Sequence, residues 1–178
     1  MTINASTSPK PAWSISGSLS GGRAINLSPA GGRLPETGEH LNLRLGLGLR
    51  PLTPLRIDNT WLRTDLSLAD GRAFRNDIVR SRWAWQFTRE WSLRVIAQYD
   101  STRTDSALTT IRPRRNLNAD VLLTRLLNPW TALYVGYNGN AQNVELLESG
   151  GVRSLRRTHG LSSDAWQVFI KWSHLLRW

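Results

Sequence analysis

Apolar and polar residues alternate along most of the chain after residue 13. In residues 41–49, leucine takes every odd position, and Asn42, Arg44, Gly46 and Gly48 take the even positions. A period of two indicates a β-strand with one apolar and one polar face. The same pattern recurs in residues 79–87, 91–100, 116–124, 131–140 and 166–178, and more weakly in residues 13–27 and 55–66. The pattern predicts about eight strands and no helix.

The first residues of the chain do not share this pattern. Residues 1–12 are mostly polar and contain no apolar segment suited to a core or to a signal peptide. We therefore expect residues 1–12 to be a linker or a truncation point, and residues 13–178 to form the folded domain.

The segments between the predicted strands alternate in length. Residues 51–54, 88–90 and 127–130 are short connections, whereas residues 28–39, 69–76, 101–115 and 141–165 are long ones. Outer-membrane barrels have short periplasmic turns and long extracellular loops. The pattern thus predicts an all-β fold, an antiparallel up-and-down transmembrane β-barrel, with its C-terminus in the periplasm of a bacterial outer membrane.

Tryptophan is concentrated at the ends of the predicted strands, where aromatic girdles of membrane barrels meet the two bilayer interfaces. The final residue, Trp178, has the apolar register of the last strand and resembles the terminal aromatic residue that signals barrel assembly. The predicted girdle consists of Trp61, Trp85, Trp91, Trp130, Trp166, Trp172 and Trp178.

Most charged residues inside the predicted strands occupy the polar positions. An arginine on the lipid face near the bilayer midplane would cost roughly 2–4 kcal/mol, so these residues are expected to face the lumen. A lumen filled by salt bridges is favoured over an anion-conducting path, because eight strands enclose little space. The predicted lumen residues are Arg44, Arg56, Asp58, Arg80, Arg82, Arg94, Asp120, Lys171 and Arg177.

Composition narrows the chemistry further. The chain has a net charge of +10, no cysteine and three histidines. It therefore has no disulfide scaffold and no cysteine-ligated metal site, and the histidines have no ligand spacing around them, so neither metal nor cofactor is expected. Because the aromatic residues share the apolar register and most strand arginines the polar one, nucleic-acid binding is not expected. A soluble basic β-barrel that binds anionic polymers stays open as an alternative.

One further alternative is catalytic. His159 lies near Ser162, Ser163 and Asp164 in the last long connection, and outer-membrane hydrolases place such residues at the barrel rim. Because closeness in sequence does not establish a catalytic arrangement, we expect a solvated loop there, and a rim hydrolase remains the minor hypothesis.

Three stretches resemble one bacterial family. They are residues 169–178 (FIKWSHLLRW), 128–137 (NPWTALYVGY) and 80–94 (RSRWAWQFTREWSLR). In that family a family-9-type carbohydrate-binding module precedes a C-terminal domain of unknown function that looks like an outer-membrane barrel. The resemblance covers about residues 40–178, and Trp130 and His174 depart from its usual Gly and Tyr.

The resemblance implies that the chain is the C-terminal part of a longer protein, with a glycan-binding module upstream and no catalytic residues to carry over. Because an open sheet edge is costly in hydrocarbon, either residues 13–27 pair with residues 166–178 to close a minimal barrel or further strands belong upstream, and we favour further strands. We therefore expect an outer-membrane segment that supports glycan binding or uptake without catalysis of its own. The expected partners are outer-membrane lipid and lipopolysaccharide, the barrel-assembly machinery and a glycan.

Overall fold

The computed structural model describes residues 1–10, 12–149 and 152–176. These residues contain nine β-strands and no helix, and strand makes up 81% of the structure. The strands are β1 (Thr2–Lys10), β2 (Trp13–Ile25), β3 (Thr37–Leu52), β4 (Leu55–Leu68), β5 (Gly71–Gln86), β6 (Trp91–Thr104), β7 (Arg114–Asn128), β8 (Thr131–Ser149) and β9 (Val152–His174). They form one antiparallel sheet in the order of the sequence, which confirms the all-β, up-and-down prediction.

The described residues contain one strand more than the eight predicted. The additional strand is β1, which lies in the segment that we expected to be a linker. Thr2 pairs with Ser20, and each following residue of β1 as far as Thr7 pairs with the preceding residue of β2. The Met1 ammonium group donates a hydrogen bond of 2.8 Å to the Gly21 carbonyl oxygen. The segment was missed because it contains one large aliphatic residue, Ile3, whereas its backbone hydrogen bonds to β2 do not depend on apolar side chains.

The predicted alternation of turn lengths holds only in part. Residues 26–36 and 105–113 form long connections, but residues 69–76 and 141–165, also predicted to be long connections, lie mostly in strands. Only residues 69–70 separate β4 from β5, and Gly71 follows them with a φ of +138°, which glycine alone adopts readily. Strands β8 and β9 extend to Ser149 and from Val152, because backbone pairing continues without an alternating apolar face.

The structure divides into two compact units. The first consists of residues 1–48, 59–80 and 99–115, and the second of residues 49–58, 81–98 and 116–178. In the first unit a small apolar cluster consists of Leu66 and Leu68 of β4, Ala73 of β5 and Leu108 of the connection between β6 and β7.

The two long connections are joined to each other by hydrogen bonds. The buried Asn26 amide nitrogen donates to the Leu108 carbonyl oxygen at 3.0 Å, and the Thr110 backbone N–H donates to the Ser28 carbonyl oxygen at 3.0 Å. Pro29 also forms an isolated antiparallel bridge with Thr109. These bonds satisfy backbone groups that the sheet itself does not pair.

In the second unit, β7, β8 and β9 align residues in rows across the sheet. Val121, Tyr137 and Val168 form one row on one face, and Asp120, Asn138 and Gln167 form the adjacent row on the other face. Residues directly opposite each other in antiparallel strands share a face, so the two registers stay separate over all three strands.

Gly136 lies beneath the Phe169 ring. A Cβ atom added to Gly136 would overlap the Cε1 and Cζ atoms of that ring. The ring thus covers the glycine backbone, an arrangement that protects glycine in β-sheets.

We predict that Gly136→Ala destabilises the protein by about 1–3 kcal/mol, because the new methyl group displaces the Phe169 ring. Urea unfolding in detergent micelles measures the change. In a Phe169→Ala background the same substitution should cost much less, and Gly22→Ala, where a Cβ meets nothing within 4 Å, is the control. An equal cost of Gly136→Ala in both backgrounds would show that the ring contact is not responsible.

Candidate functional site

The candidate functional site is the surface of the sheet, which has two faces of different character. In the first unit, contacts between neighbouring strands show which residues share a face. A Cβ atom on Gly46 would lie 2.5 Å from the Ser16 hydroxyl, which places Gly46 and Ser16 on one face. A Cβ atom on Gly17 would lie 3.3 Å from Leu45 Cδ2, which places Gly17 and Leu45 on the other face. We call these the polar face and the leucine face.

Large apolar residues of the leucine face are exposed in the first unit. Side chains alternate between faces along a strand, so Leu41 and Leu47 share the face of Leu45. Each of these three leucines is about two-fifths exposed. On β1 and β2, Ile3 pairs with Leu19, and the exposed Ile3, Ile15 and Leu19 continue the same register.

On β9 of the second unit, apolar side chains are more exposed than these leucines. Trp166, Val168, Ile170 and Trp172 alternate along β9, and Trp166 and Ile170 are 70% and 74% exposed. Their partners on β8 include Val135 and Tyr137, which are exposed too. These residues form a continuous apolar surface within the unit.

The buried apolar core is very small by comparison. Within the described residues, the buried apolar side chains are Ala30, Leu66, Leu68, Ala73, Leu108 and Ala132. The accessible surface is 12632 Å², against about 8,700 Å² for a folded soluble monomer of this length. The apolar residues of this chain therefore lie mainly on its surface.

Several of the predicted girdle residues contact neighbouring side chains. Trp61 Nε1 donates to Asp77 Oδ1 at 3.1 Å, and the Arg63 guanidinium lies 4.7 Å from the Trp61 ring centroid. Arg125 lies 5.1 Å above the Trp91 ring.

The remaining girdle residues lie in strands or in turns. Trp85 contacts Phe87 with ring centroids 4.4 Å apart. Trp130 lies in the β7–β8 turn, where its N–H donates to Asn128 Oδ1 and its carbonyl oxygen accepts from the Leu175 N–H. Trp166 and Trp172 lie on β9, and Trp178 lies outside the described residues.

The charged residues predicted to face the lumen are only partly paired. Arg56 forms an ion pair with Asp58 at 2.9 Å. Asp120 accepts a short hydrogen bond from the Asn138 amide group, and Lys171 Nζ lies 5.9 Å from the Tyr134 ring centroid.

Four arginines of the same prediction have no ion-pair or hydrogen-bond partner among the described residues. They are Arg44, Arg80, Arg82 and Arg94, and all four are exposed. Arg94 lines a groove of about 280 Å³ in the second unit together with Gln86 and Thr124. The exposed guanidinium groups differ from the expected salt-bridged filling, and Arg177 lies outside the described residues.

Sequence reasoning missed a network of ion pairs between β4 and β5. Arg63 Nε and Asp77 Oδ1 are 2.7 Å apart, and Arg75 Nε and Asp65 Oδ1 are also 2.7 Å apart. Each strand carries the motif Arg-x-Asp, at residues 63–65 and 75–77. Residues two apart share a face, and antiparallel strands place each arginine opposite the other strand's aspartate. That repeated motif was the signal that could have revealed the network.

The network lies on the leucine face rather than the polar face. The Thr64 hydroxyl donates to Asn42 Oδ1 at 2.8 Å, so Thr64 shares the face of Asn42. Arg63 and Asp65 flank Thr64 in β4 and therefore point to the opposite face. Charged residues thus replace apolar ones at this level of the leucine face.

A second ionic contact joins two connections of the first unit. Arg33 donates to Asp70 Oδ2 at 2.7 Å and to Glu36 Oε1 at 2.8 Å. The hydrogen bond to Asp70, followed by that to Glu36, raises the pKa of Arg33. The contact links the connection before β3 to the β4–β5 turn, and because Asp70 is largely exposed it contributes little to stability.

The residues of the hydrolase hypothesis lie at an irregularity in the β8–β9 pairing. Asp164 Oδ2 accepts from the Asn140 and Gln142 amide groups, at 2.9 and 2.6 Å. The Ser162 hydroxyl contacts the carbonyl oxygens of Gln142 and Val144, at 3.3 and 2.8 Å. Through these contacts both side chains stabilise the bulged part of the strand pairing. A nucleophilic serine would instead donate its hydrogen bond to a general base.

The other two histidines lie near the start of β3 and at the end of β9. His40 is half-buried in β3. His174 Nδ1 lies 2.7 Å from the Thr131 hydroxyl, at the pairing of β8 with β9.

Comparison with known proteins gives no further guide. Searches of protein-family models, of curated proteins and of solved structures find no match. The described residues contain no cluster of three or more potential metal ligands of the His, Cys, Asp or Glu type. No helix among them has the length and apolar character needed to cross a membrane.

We predict that Asp77→Ala destabilises the protein by about 1–3 kcal/mol, because it leaves the Arg63 guanidinium and the Trp61 N–H without their acceptor. Urea unfolding in detergent micelles measures the change. Asp70→Ala removes an exposed carboxylate of another ion pair and should leave the transition unchanged. Equal midpoints for the two variants would contradict a stabilising role of the network.

Proposed function

We propose that this chain is a membrane-embedded segment of a bacterial outer-membrane β-barrel, with its leucine face against the acyl chains. The observation that carries the proposal is the exposure of the apolar register in each unit, combined with only six buried apolar side chains among the described residues. An exposed apolar surface of this kind marks an interaction site, and a bilayer provides an apolar partner along every strand.

The ion-pair network of β4 and β5 indicates where the membrane-embedded region would end in our proposal. Charged side chains on the lipid face are costly at the midplane and inexpensive near the interface. Trp61 lies two residues before Arg63 and contacts the network through Asp77, and tryptophan is enriched at bilayer interfaces. We place one interface at the level of Trp61, with residues 63–65 and 75–77 beyond it.

In the second unit, the lengths of β8 and β9 bear separately on the extent of the membrane-embedded region. A tilted strand crosses a bilayer with about 9–11 residues, whereas β8 and β9 have 19 and 23. The apolar rows of this hairpin lie between Thr131 and Asn140 on β8. The rest of the hairpin, including the bulge at Asp164, therefore projects beyond the bilayer in our proposal.

The edges of the sheet also bear on the proposal. In the described residues, β1 and β9 each pair with a single neighbour. Unpaired backbone groups cost several kcal/mol each in hydrocarbon, so a membrane-embedded sheet needs both edges covered. We propose that further strands of a longer protein cover them.

The family resemblance carries the glycan part of the proposal. We propose that the segment anchors a surface glycan-binding module and supports glycan capture or uptake without catalysis of its own. An upstream reading frame that encodes a signal peptide and a carbohydrate-binding module would support this role, and a frame without either would contradict it.

We predict that Val121→Arg blocks membrane assembly, whereas Asn118→Arg is tolerated, because Val121 belongs to the apolar rows and Asn118 to the polar face. An arginine at Val121 would cost about 2–4 kcal/mol near the midplane. Heat-modifiable migration and protease resistance of membrane fractions measure assembly of the two variants.

Two results would contradict the proposal. One is equal assembly of the Val121 and Asn118 variants. The other is recovery of the wild-type chain as a monodisperse monomer without detergent, which would favour a soluble basic β-sheet protein that binds polyanions.

A further inference from the structure

A groove of about 410 Å³ lies in the first unit, on strands β1 to β3. Its polar lining consists of Asn4, Ser6, Ser16, Ser18 and Arg44. The proposed membrane contact of the leucine face does not involve these residues.

Backbone pairing places these side chains on one face. Ser6 pairs with Ser16 and Asn4 pairs with Ser18, and directly opposite residues share a face. Ser16 shares its face with Gly46, and Arg44, two residues earlier in β3, points the same way. The groove therefore belongs to the polar face, away from the exposed leucines.

The position of Arg44 completes the arrangement. Since β2 and β3 are adjacent in the sheet and Gly46 lies beside Ser16, Arg44 is level with Ser18 and Asn4. Its guanidinium group has no partner among the described residues, and the residues that line the groove include no carboxylate. An unpaired guanidinium group presents a fork of N–H donors that fits a carboxylate in a bidentate manner.

The rest of the lining suits a polyhydroxylated ligand. Three serine hydroxyls each donate and accept hydrogen bonds, and the Asn4 amide does both as well. Residues two apart along a strand are separated by about 7 Å, and neighbouring strands by about 4.8 Å. The polar side chains of the groove therefore span an area with the dimensions of one sugar ring.

We propose that this groove binds a carboxylated sugar, with the uronate carboxylate on Arg44 and the ring hydroxyls on the serines and Asn4. The inference goes beyond the proposed function, because it assigns a ligand class to the polar face and does not depend on what the leucine face contacts. An acidic polysaccharide would supply such sugars in repeating units.

Ligand-observed NMR titration of the detergent-solubilised protein with D-glucuronate, D-glucose and acetate tests the proposal. We expect glucuronate to bind at least about tenfold more tightly than either of the others, since each lacks half of the recognised groups. Equal affinity for acetate would reduce the groove to a simple anion site, and equal affinity for glucose would exclude a role of the carboxylate; either result overturns the proposal.

Variants locate the binding. Arg44→Gln should weaken glucuronate binding about tenfold or more, and Ser18→Ala should weaken it about threefold. Arg94→Gln changes an exposed arginine of the other groove and should leave the affinity unchanged. Wild-type affinity in Arg44→Gln, or an equal loss in Arg94→Gln, would overturn the proposal without affecting the membrane proposal, which assembly assays test separately.

Discussion

The two-residue period of the β-strand is the constraint on which the rest of this structure depends. Successive side chains point to opposite faces, so a strand such as residues 41–49 must separate its leucines from Asn42 and Arg44. A shift of one residue in the pairing would exchange the two sets. Glycine and serine contacts in the first unit, and the paired rows of β7 to β9 in the second, keep each unit in a single register.

That constraint also explains where polar groups meet. The Arg-x-Asp motifs of β4 and β5 form reciprocal ion pairs because both members of each motif share a face. The same rule gathers Ser6, Ser16 and Arg44 in one groove. At the β8–β9 bulges the regular pairing is interrupted, and there the amide groups of Asn140 and Gln142 donate hydrogen bonds to the Asp164 carboxylate.

Alternation in the sequence, together with the lengths of the connections, was enough to predict the all-β class and the antiparallel up-and-down order. It could not predict β1, whose pairing rests on backbone hydrogen bonds, or the long β8–β9 hairpin, whose outer part lacks an apolar face. The contact of Asn26 with Leu108 was equally hidden, because it joins two connections 82 residues apart. The sequence also could not show that Arg44 and Arg94 lack ion-pair partners among the residues that the structure describes, because this depends on the distances between residues of different strands.

We propose that the leucine face contacts acyl chains and that the polar face does not, and site-directed spin labelling tests this most directly. Because the chain has no cysteine, single cysteines can be introduced at each position of residues 41–49 and spin-labelled in lipid vesicles. Collision rates with oxygen, which partitions into hydrocarbon, and with a water-soluble nickel chelate measure the surroundings of each label. The account predicts high oxygen and low nickel accessibility at odd positions from Leu45 to Leu49, and the reverse at the even positions. Nickel accessibility at the odd positions equal to or above that at the even ones would contradict it.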